Sequence, residues 1–191
     1  METNRTGPGV ESEEATARLV ALLSSQDPEA AALLDSLYRD ALIRFCWGYL
    51  GGMEEAEDAV QEVCYKVLAA PHIPDHFRAW IYKTARNYCL NLLRDRASQP
   101  APRVLPTPSV LAASLTGHLT RLVKQEMHSR LVEQVERLSE AQREVLRLRY
   151  VENLSRTDIA EVLEQPESVI KSRLFEGLKR LRDCALFLQD T

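Results

Sequence analysis

Apolar residues in this chain recur every three or four positions, and strand-like alternation persists nowhere. The pattern predicts an all-α protein. Leu34, Leu37, Ala41 and Phe45 fall at helical spacing. Ahead of them, Asp27-Pro28-Glu29 reads as a helix start, with Asp as N-cap, Pro at the first helical position and Glu in the first turn. Gly51-Gly52 ends that helix. A second helix is predicted from about Glu54 to Ala69, with Ala56, Val60, Val63 and Val67 on one face. Asp58, Gln61, Glu62 and Tyr65 fall largely on another. Pro71 and Pro74 break the pattern and leave a loop, PHIPDHF. A third helix runs from near Phe77 to about Arg96. Its apolar side is Ile81, Ala85, Tyr88 and Leu92, and Lys83, Asn87, Asn91 and Arg94 make a polar stripe on the other side.

The periodicity then stops. SQPAPRVLPTPS carries four prolines and cannot form regular helix or a central strand. This divides the chain into a flexible acidic N-terminus at 1–26, its first dozen residues disordered, then a helical domain at 27–97, a linker at 98–118 and a second helical domain at 119–191. In the second domain Leu119, Leu122, Val123, Met127, Leu131, Val135 and Leu138 make a long apolar stripe. Ser139, with Arg143 behind it, starts a further helix. Ser155 can cap a short helix, RTDIAEVL, with Ile159, Ala160 and Leu163 facing inward. A tight turn at Glu164-Gln165-Pro166-Glu167 leads to a last helix that begins with Ser168 and buries Ile170 and Leu174.

Composition narrows the function. The chain has 191 residues and a net charge of -4, which argues against non-specific coating of nucleic acid. Its charge is uneven, however. Met53 to Cys64 holds five acids and no base, whereas Arg78 to Arg103 holds six bases against Asp95 alone. One acidic and one basic surface suit two different partners. No apolar run approaches the ~18 residues of a membrane span, and METNRTGPGVESEEATA lacks the order of a signal peptide. The chain is therefore expected in the cytosol, without membrane insertion. Cys46, Cys64, Cys89 and Cys184 are scattered and read as reduced thiols.

Two constellations carry candidate chemistry. Helix, short turn and basic second helix is a helix-turn-helix arrangement. Its second helix would present Ser168, Lys171, Ser172 and Phe175 to base edges and phosphates. Arg173 lies about 200° around the axis from Lys171, toward a flanking phosphate or a neighbouring helix. The bland alternative is an ordinary αα-hairpin with solvated cations. The second constellation is the acidic helix, the proline-broken loop and the basic helix. Cations interleaved with Trp80, Tyr82, Tyr88 and two asparagines suit single-stranded DNA, although Trp80 and Tyr88 also fit a core role.

DALIRFCWGYLGGMEEAEDAVQEVCYKVL, FRAWIYKTARNYCLNLLRDR and LSEAQREVLRLRYVENLSRTDIAEVLEQPESVIKSRL together resemble the extracytoplasmic-function (ECF) group of the sigma-70 family. These are bacterial RNA polymerase sigma factors built from two helical domains, region two and region four. The resemblance covers most of 35–96 and 130–183. It implies a chain that binds core RNA polymerase, recognises promoter DNA and stabilises promoter melting, with no catalysis and no cofactor of its own. Asp58, Gln61 and Glu62 fall where the family grips the β′ clamp helices. Trp80, Lys83, Asn87, Asn91 and Arg94 fall on the helix that meets the minus-ten element. Ser168, Lys171, Ser172, Arg173 and Phe175 fall on the minus-thirty-five helix, in the region that docks on the β flap. The family also implies an anti-sigma factor and a cytoplasmic location on the nucleoid through polymerase.

Two departures stand out. The family usually has Gly and an aliphatic residue at the helix-turn-helix turn, where this chain has Glu164 and Gln165. If the turn needs positive φ, Glu there costs on the order of 1 kcal/mol. PHIPDHF also differs from the usual polar, glycine-containing loop, so base preference at minus-ten cannot be carried over. The alternative reading is a helix-turn-helix regulator that does not bind core polymerase, with residues 27–96 as a ligand or dimer module; it leaves the AEDAVQE and RAWIYKTARN helices unexplained. A metal enzyme is disfavoured, because Pro74 separates His72 from His76 and no HExxH pattern exists.

Overall fold

The computed structural model describes residues 13–96 and 132–186. Among them all regular structure is helical. They fall into two compact units on either side of the proline-rich stretch. The expected linker at 98–118 and the apolar stripe as far as Leu131 lie outside the described residues, as does the first dozen.

The first unit has four helices: α1 (Glu13–Ser24), α2 (Glu29–Leu50), α3 (Met53–Leu68) and α4 (Phe77–Arg96). The expectation of a flexible tail to residue 26 is corrected by α1. Leu19 and Leu23 of this helix are buried, and Thr16 shares a 3.1 Å hydrogen bond with the Tyr38 hydroxyl on α2. The start of α2 follows the sequence reading. Asp27 Oδ1 accepts the Glu29 N–H at 2.8 Å, and Pro28 sits at φ -60, ready for the first turn. Gly51 ends the helix at φ 78, a conformation glycine adopts without cost, and its N–H donates to the Trp47 carbonyl.

The core of this unit forms where α2, α3 and α4 meet. Phe45 stands edge-on to Tyr82, with ring centroids 5.1 Å apart, and Tyr38 edge-on to Phe77 at 5.5 Å. Such pairs add about 0.5–1.5 kcal/mol to the area they bury. Ala56, Val60, Val63 and Val67 of α3 are all buried, as their spacing predicts. On α4, Ile81 and Ala85 are buried but Tyr88 and Leu92 are only half-buried. Cys89 supplies the next buried position. Ile73 tucks under the loop between the two prolines and ties it to the core. At the far end Arg96 forks onto Glu55, at 2.6 and 3.0 Å, joining the end of α4 to the start of α3. Both side chains are partly exposed, so this bidentate pair is worth about 1 kcal/mol or less.

Among its described residues the second unit has a helical stretch at 132–136, then α5 (Glu140–Tyr150), α6 (Arg156–Leu163) and α7 (Glu167–Leu186). Ser139 caps α5 through a reciprocal box with Gln142, and Ser155 caps α6 through one with Asp158. Inside α6, Ile159, Val162 and Leu163 are buried, whereas Ala160 is only half-buried. Val162 thus takes an inward place that the sequence reading gave to Ala160. Arg147 and Glu152 are a buried pair, 3.7 Å apart, at 3% and 1% exposure. Removing one partner would leave a charge uncompensated in the core. Gly177 lies against α5, where a Cβ would sit 3.0 Å from Leu146 Cδ1. A side chain there would have to push the Leu146 methyl aside by a few tenths of an ångström.

Candidate nucleic-acid and polymerase interfaces

The turn between α6 and α7 is a Schellman motif with glutamate where glycine is customary. Glu164 sits at φ 52, ψ 44, in the left-handed region. Its N–H donates to the Glu161 carbonyl at 3.3 Å, and the Gln165 N–H donates to the Ala160 carbonyl at 3.0 Å. Pro166 then accepts the N–H groups of Val169 and Ile170, so α7 begins at Glu167, one residue before the predicted start. The helix buries Ile170, Leu174, Gly177 and Leu181 along one side. Ser168, Lys171, Ser172 and Phe175 are exposed on the other, with Phe175 at 66% exposure. Arg173 is half-buried, in keeping with its predicted divergence from Lys171. The acid Glu176 interrupts this basic helix. One of its oxygens accepts the Ser172 hydroxyl at 3.1 Å, and the other accepts Gln142 Nε2 at 3.3 Å.

In the first unit, α3 turns one side to the core and the other to solvent. Asp58, Gln61, Glu62 and Tyr65 are all exposed, Tyr65 at 70%. Leu68 extends the stripe at 45% exposure. The sequence reading did not include it, although its spacing of three from Tyr65 puts it on this face. The α3 stripe thus runs from acidic to apolar. Lys66 bridges toward α4, its ammonium 4.7 Å above the ring of Tyr88. Burial, with the negative charges of Glu62 and Asp58, holds the Tyr88 phenol above its ordinary value of 10.0.

The outer face of α4 carries the remaining candidates. Asn87, Asn91 and Arg94 are exposed, whereas Lys83 is half-buried. Arg94 Nη1 donates to Asn91 Oδ1 at 3.1 Å, which holds the two as a pair. Trp80 lies seven residues before Asn87, hence on the same face. It is half-buried, one side resting against Phe77 at 5.9 Å between centroids. Trp80 is therefore both packed and available, which neither sequence alternative described. His72 and His76 are exposed, and among the described residues no group of three or more His, Cys, Asp or Glu could hold a metal.

Helix α6, its tight turn and α7 with an exposed polar face have the arrangement of the helix-turn-helix class of DNA-binding proteins. The acidic helix and the tryptophan-to-arginine face of the other unit are not needed for that alone, and the comparison with known proteins covers both units. Sigma-70 region 2 matches residues 34–99 and Sigma-70, region 4 matches residues 128–181, together more than half of the chain. The chain is 26% identical over 166 residues to the ECF RNA polymerase sigma factor SigW of Bacillus subtilis, covering 82% of this chain and 89% of that protein. It is 26% identical over 180 residues to the RNA polymerase sigma-H factor of Pseudomonas aeruginosa, covering 86% and 91%. The ECF RNA polymerase sigma-E factor of Haemophilus influenzae is 24% identical over 180 residues, covering 86% and 92%. The chain belongs to the ECF group of the sigma-70 family and is an RNA polymerase sigma factor acting in promoter recognition. Its partners are core RNA polymerase and promoter DNA, and it is an initiation factor, not an enzyme.

Proposed function

We propose that the two faces of the first unit divide the work of initiation. The α3 stripe, through Asp58, Gln61 and Glu62, grips the β′ clamp helices of core polymerase, with Tyr65 and Leu68 as its apolar margin. Acidic side chains steer a basic partner and speed encounter, while the apolar margin slows release. The α4 face, with Trp80, Lys83, Asn87, Asn91 and Arg94, holds the melted minus-ten strand. A half-exposed indole offers a stacking platform, the amides reach base edges, and the cations hold phosphate. Melting is driven only if this face binds the open strand more tightly than the duplex. The second unit docks on the β flap and sets Ser168, Lys171, Ser172, Arg173 and Phe175 of α7 at the minus-thirty-five element. An anti-sigma factor that keeps the chain from core polymerase would silence it, and the work is done in the cytoplasm, on the nucleoid.

The observation that supports this reading is the pairing of two unlike exposed faces on one small helical unit, acidic on α3 and aromatic-to-basic on α4. A DNA-binding regulator that leaves polymerase alone has no use for the acidic one. The test is run-off transcription from a genomic promoter library. Core polymerase with this chain should give discrete transcripts, and core polymerase alone should not. Absence of transcripts, together with failure to retain core polymerase in a pull-down, would overturn the proposal.

A further inference from the structure

One fixed donor sets the direction of the hydrogen bonds that reach Glu176. The Ser139 backbone N–H can only donate, and it donates to Gln142 Oε1 at 3.2 Å. Arg180 Nη1, also a donor only, reaches the same oxygen at 3.4 Å. The buried Gln142 amide is thereby oriented, with its Nε2 directed at Glu176 Oε2, 3.3 Å away. A carboxylate accepts only. Glu176 Oε1 therefore takes the single proton of the Ser172 hydroxyl, at 3.1 Å. The polarity set by the cap of α5 is passed along this chain to an exposed hydroxyl on α7.

We infer that Glu176 makes Ser172 an obligate acceptor toward DNA, so that Ser172 selects adenine or cytosine over guanine or thymine on the strand it contacts, through the exocyclic amino group those two bases turn to the major groove. A free serine hydroxyl donates or accepts and discriminates little. With its proton committed, Ser172 Oγ keeps only lone pairs. It can meet adenine N6 or cytosine N4, which donate. Guanine O6 and N7, thymine O4 and phosphate oxygens all accept, and against them it faces lone pair to lone pair. The neighbouring carboxylate adds repulsion toward any phosphate. Glu176 is thus a positioning residue for specificity and needs no contact with DNA itself. The inference rests on the reading of α7 as the minus-thirty-five helix.

The experiment uses holoenzyme assembled from core polymerase and the full chain, on promoters randomised across the upstream element. Wild type should favour adenine or cytosine at one position of one strand. Replacing that adenine with 2-aminopurine, or that cytosine with 2-pyrimidinone, removes the major-groove amino group and identifies which base supplies it. Loss should be about three- to tenfold, the scale of one neutral hydrogen bond. Glu176→Gln is nearly isosteric, but its amide can donate to Ser172 and free the hydroxyl proton. Preference at that one position should fall to within about twofold while the other positions keep theirs. Ser172→Ala, at an exposed site, should flatten the same position and guards against misfolding of the first variant. Thermal melts of both confirm the fold. If both variants keep the wild-type preference at every position, Glu176 and Ser172 do not set it and the inference fails alone. If scrambling the whole upstream element changes nothing, the assignment of α7 fails and takes the inference with it.

Discussion

Replacing Glu164 with glycine should stabilise the second unit. Glu164 holds φ 52, ψ 44 at the end of α6, where its Cβ crowds the following carbonyl. That conformation costs a non-glycine residue about 1–2 kcal/mol. Glycine removes the cost but adds freedom to the unfolded chain, an opposing effect of about 0.5–1 kcal/mol. The net gain is then about 0.5–1 kcal/mol. Both backbone bonds of the motif, from Glu164 to Glu161 and from Gln165 to Ala160, are available to glycine unchanged. For a domain of this size 1 kcal/mol moves the melting temperature by roughly 4–8 °C, so Glu164→Gly should raise it by about 2–8 °C. Calorimetry of the full chain resolves the units only if they melt apart. Hydrogen exchange at the amides of α6 and α7 should therefore be read alongside it, where protection should rise. Asn tolerates the left-handed region better than Ala, so the series should rank Gly above Asn above Ala. If Gly and Ala melt together, or Gly melts lower than wild type, backbone strain at this turn is not what glutamate contributes.

Four further outcomes concern α3, α4 and α7. Asp58→Lys with Glu62→Lys should weaken core polymerase binding at least tenfold with no loss of helix, measured by titration with circular dichroism as the control; unchanged affinity would remove α3 from the interface. Asn87→Ala should reduce permanganate reactivity of the melted region while leaving the melting temperature within about 1 °C, whereas Trp80→Ala should lower both, because the indole also rests on Phe77; equal footprints for wild type and Asn87→Ala would sink its role. Lys171→Ala should lower transcription from promoters that depend on the upstream element by about 1–3 kcal/mol equivalent, with Arg173→Ala acting more evenly across sequences; a loss that persists with the upstream element scrambled would mean Lys171 does not read it. The Tyr88 phenol, held above 10.0, stays neutral in the fold after it has begun to ionise in the unfolded chain, so its contribution is intact below pH 10.0 and is lost as pH rises through the folded value. Glu62→Gln should lower that titration, followed by phenolate absorbance against a Tyr88→Phe control; no movement would place Glu62 too far away to act.

Local signals were legible where chemistry and spacing agree. Asp27-Pro28, the Ser155 cap and the buried face of α3 were all available from residue type and period alone. The partial cases have physical causes. α1 was hidden by acidic surroundings, yet Thr16, Leu19 and Leu23 already have helical spacing, and only the partner surface on α2 reveals what they cover. Ser139 reads as a helix start, but its partner Gln142 does two jobs, closing the cap and reaching Glu176 thirty-four residues later. No local pattern announces the second. Arg147 and Glu152 are charged residue types whose burial no local pattern announces; tertiary packing buries them. Trp80 fits a core or a ligand platform by its residue type, and half-burial lets one side chain serve both.

The close seat of Gly177 against Leu146 has an evolutionary side. Ile170, Leu174, Gly177 and Leu181 fix α7 along one edge, and a single methyl group at residue 177 would press on the neighbouring helix. The opposite edge, Ser168, Lys171 and Phe175, touches solvent and is free of that constraint. Changes at those three positions cost little stability, because surface substitutions rarely exceed about 0.5 kcal/mol. A duplicated copy of this gene could therefore drift toward a new set of promoters through its outward residues while the inward ones keep the helix at the same angle. The two sets of genes would come to be read by one unchanged frame.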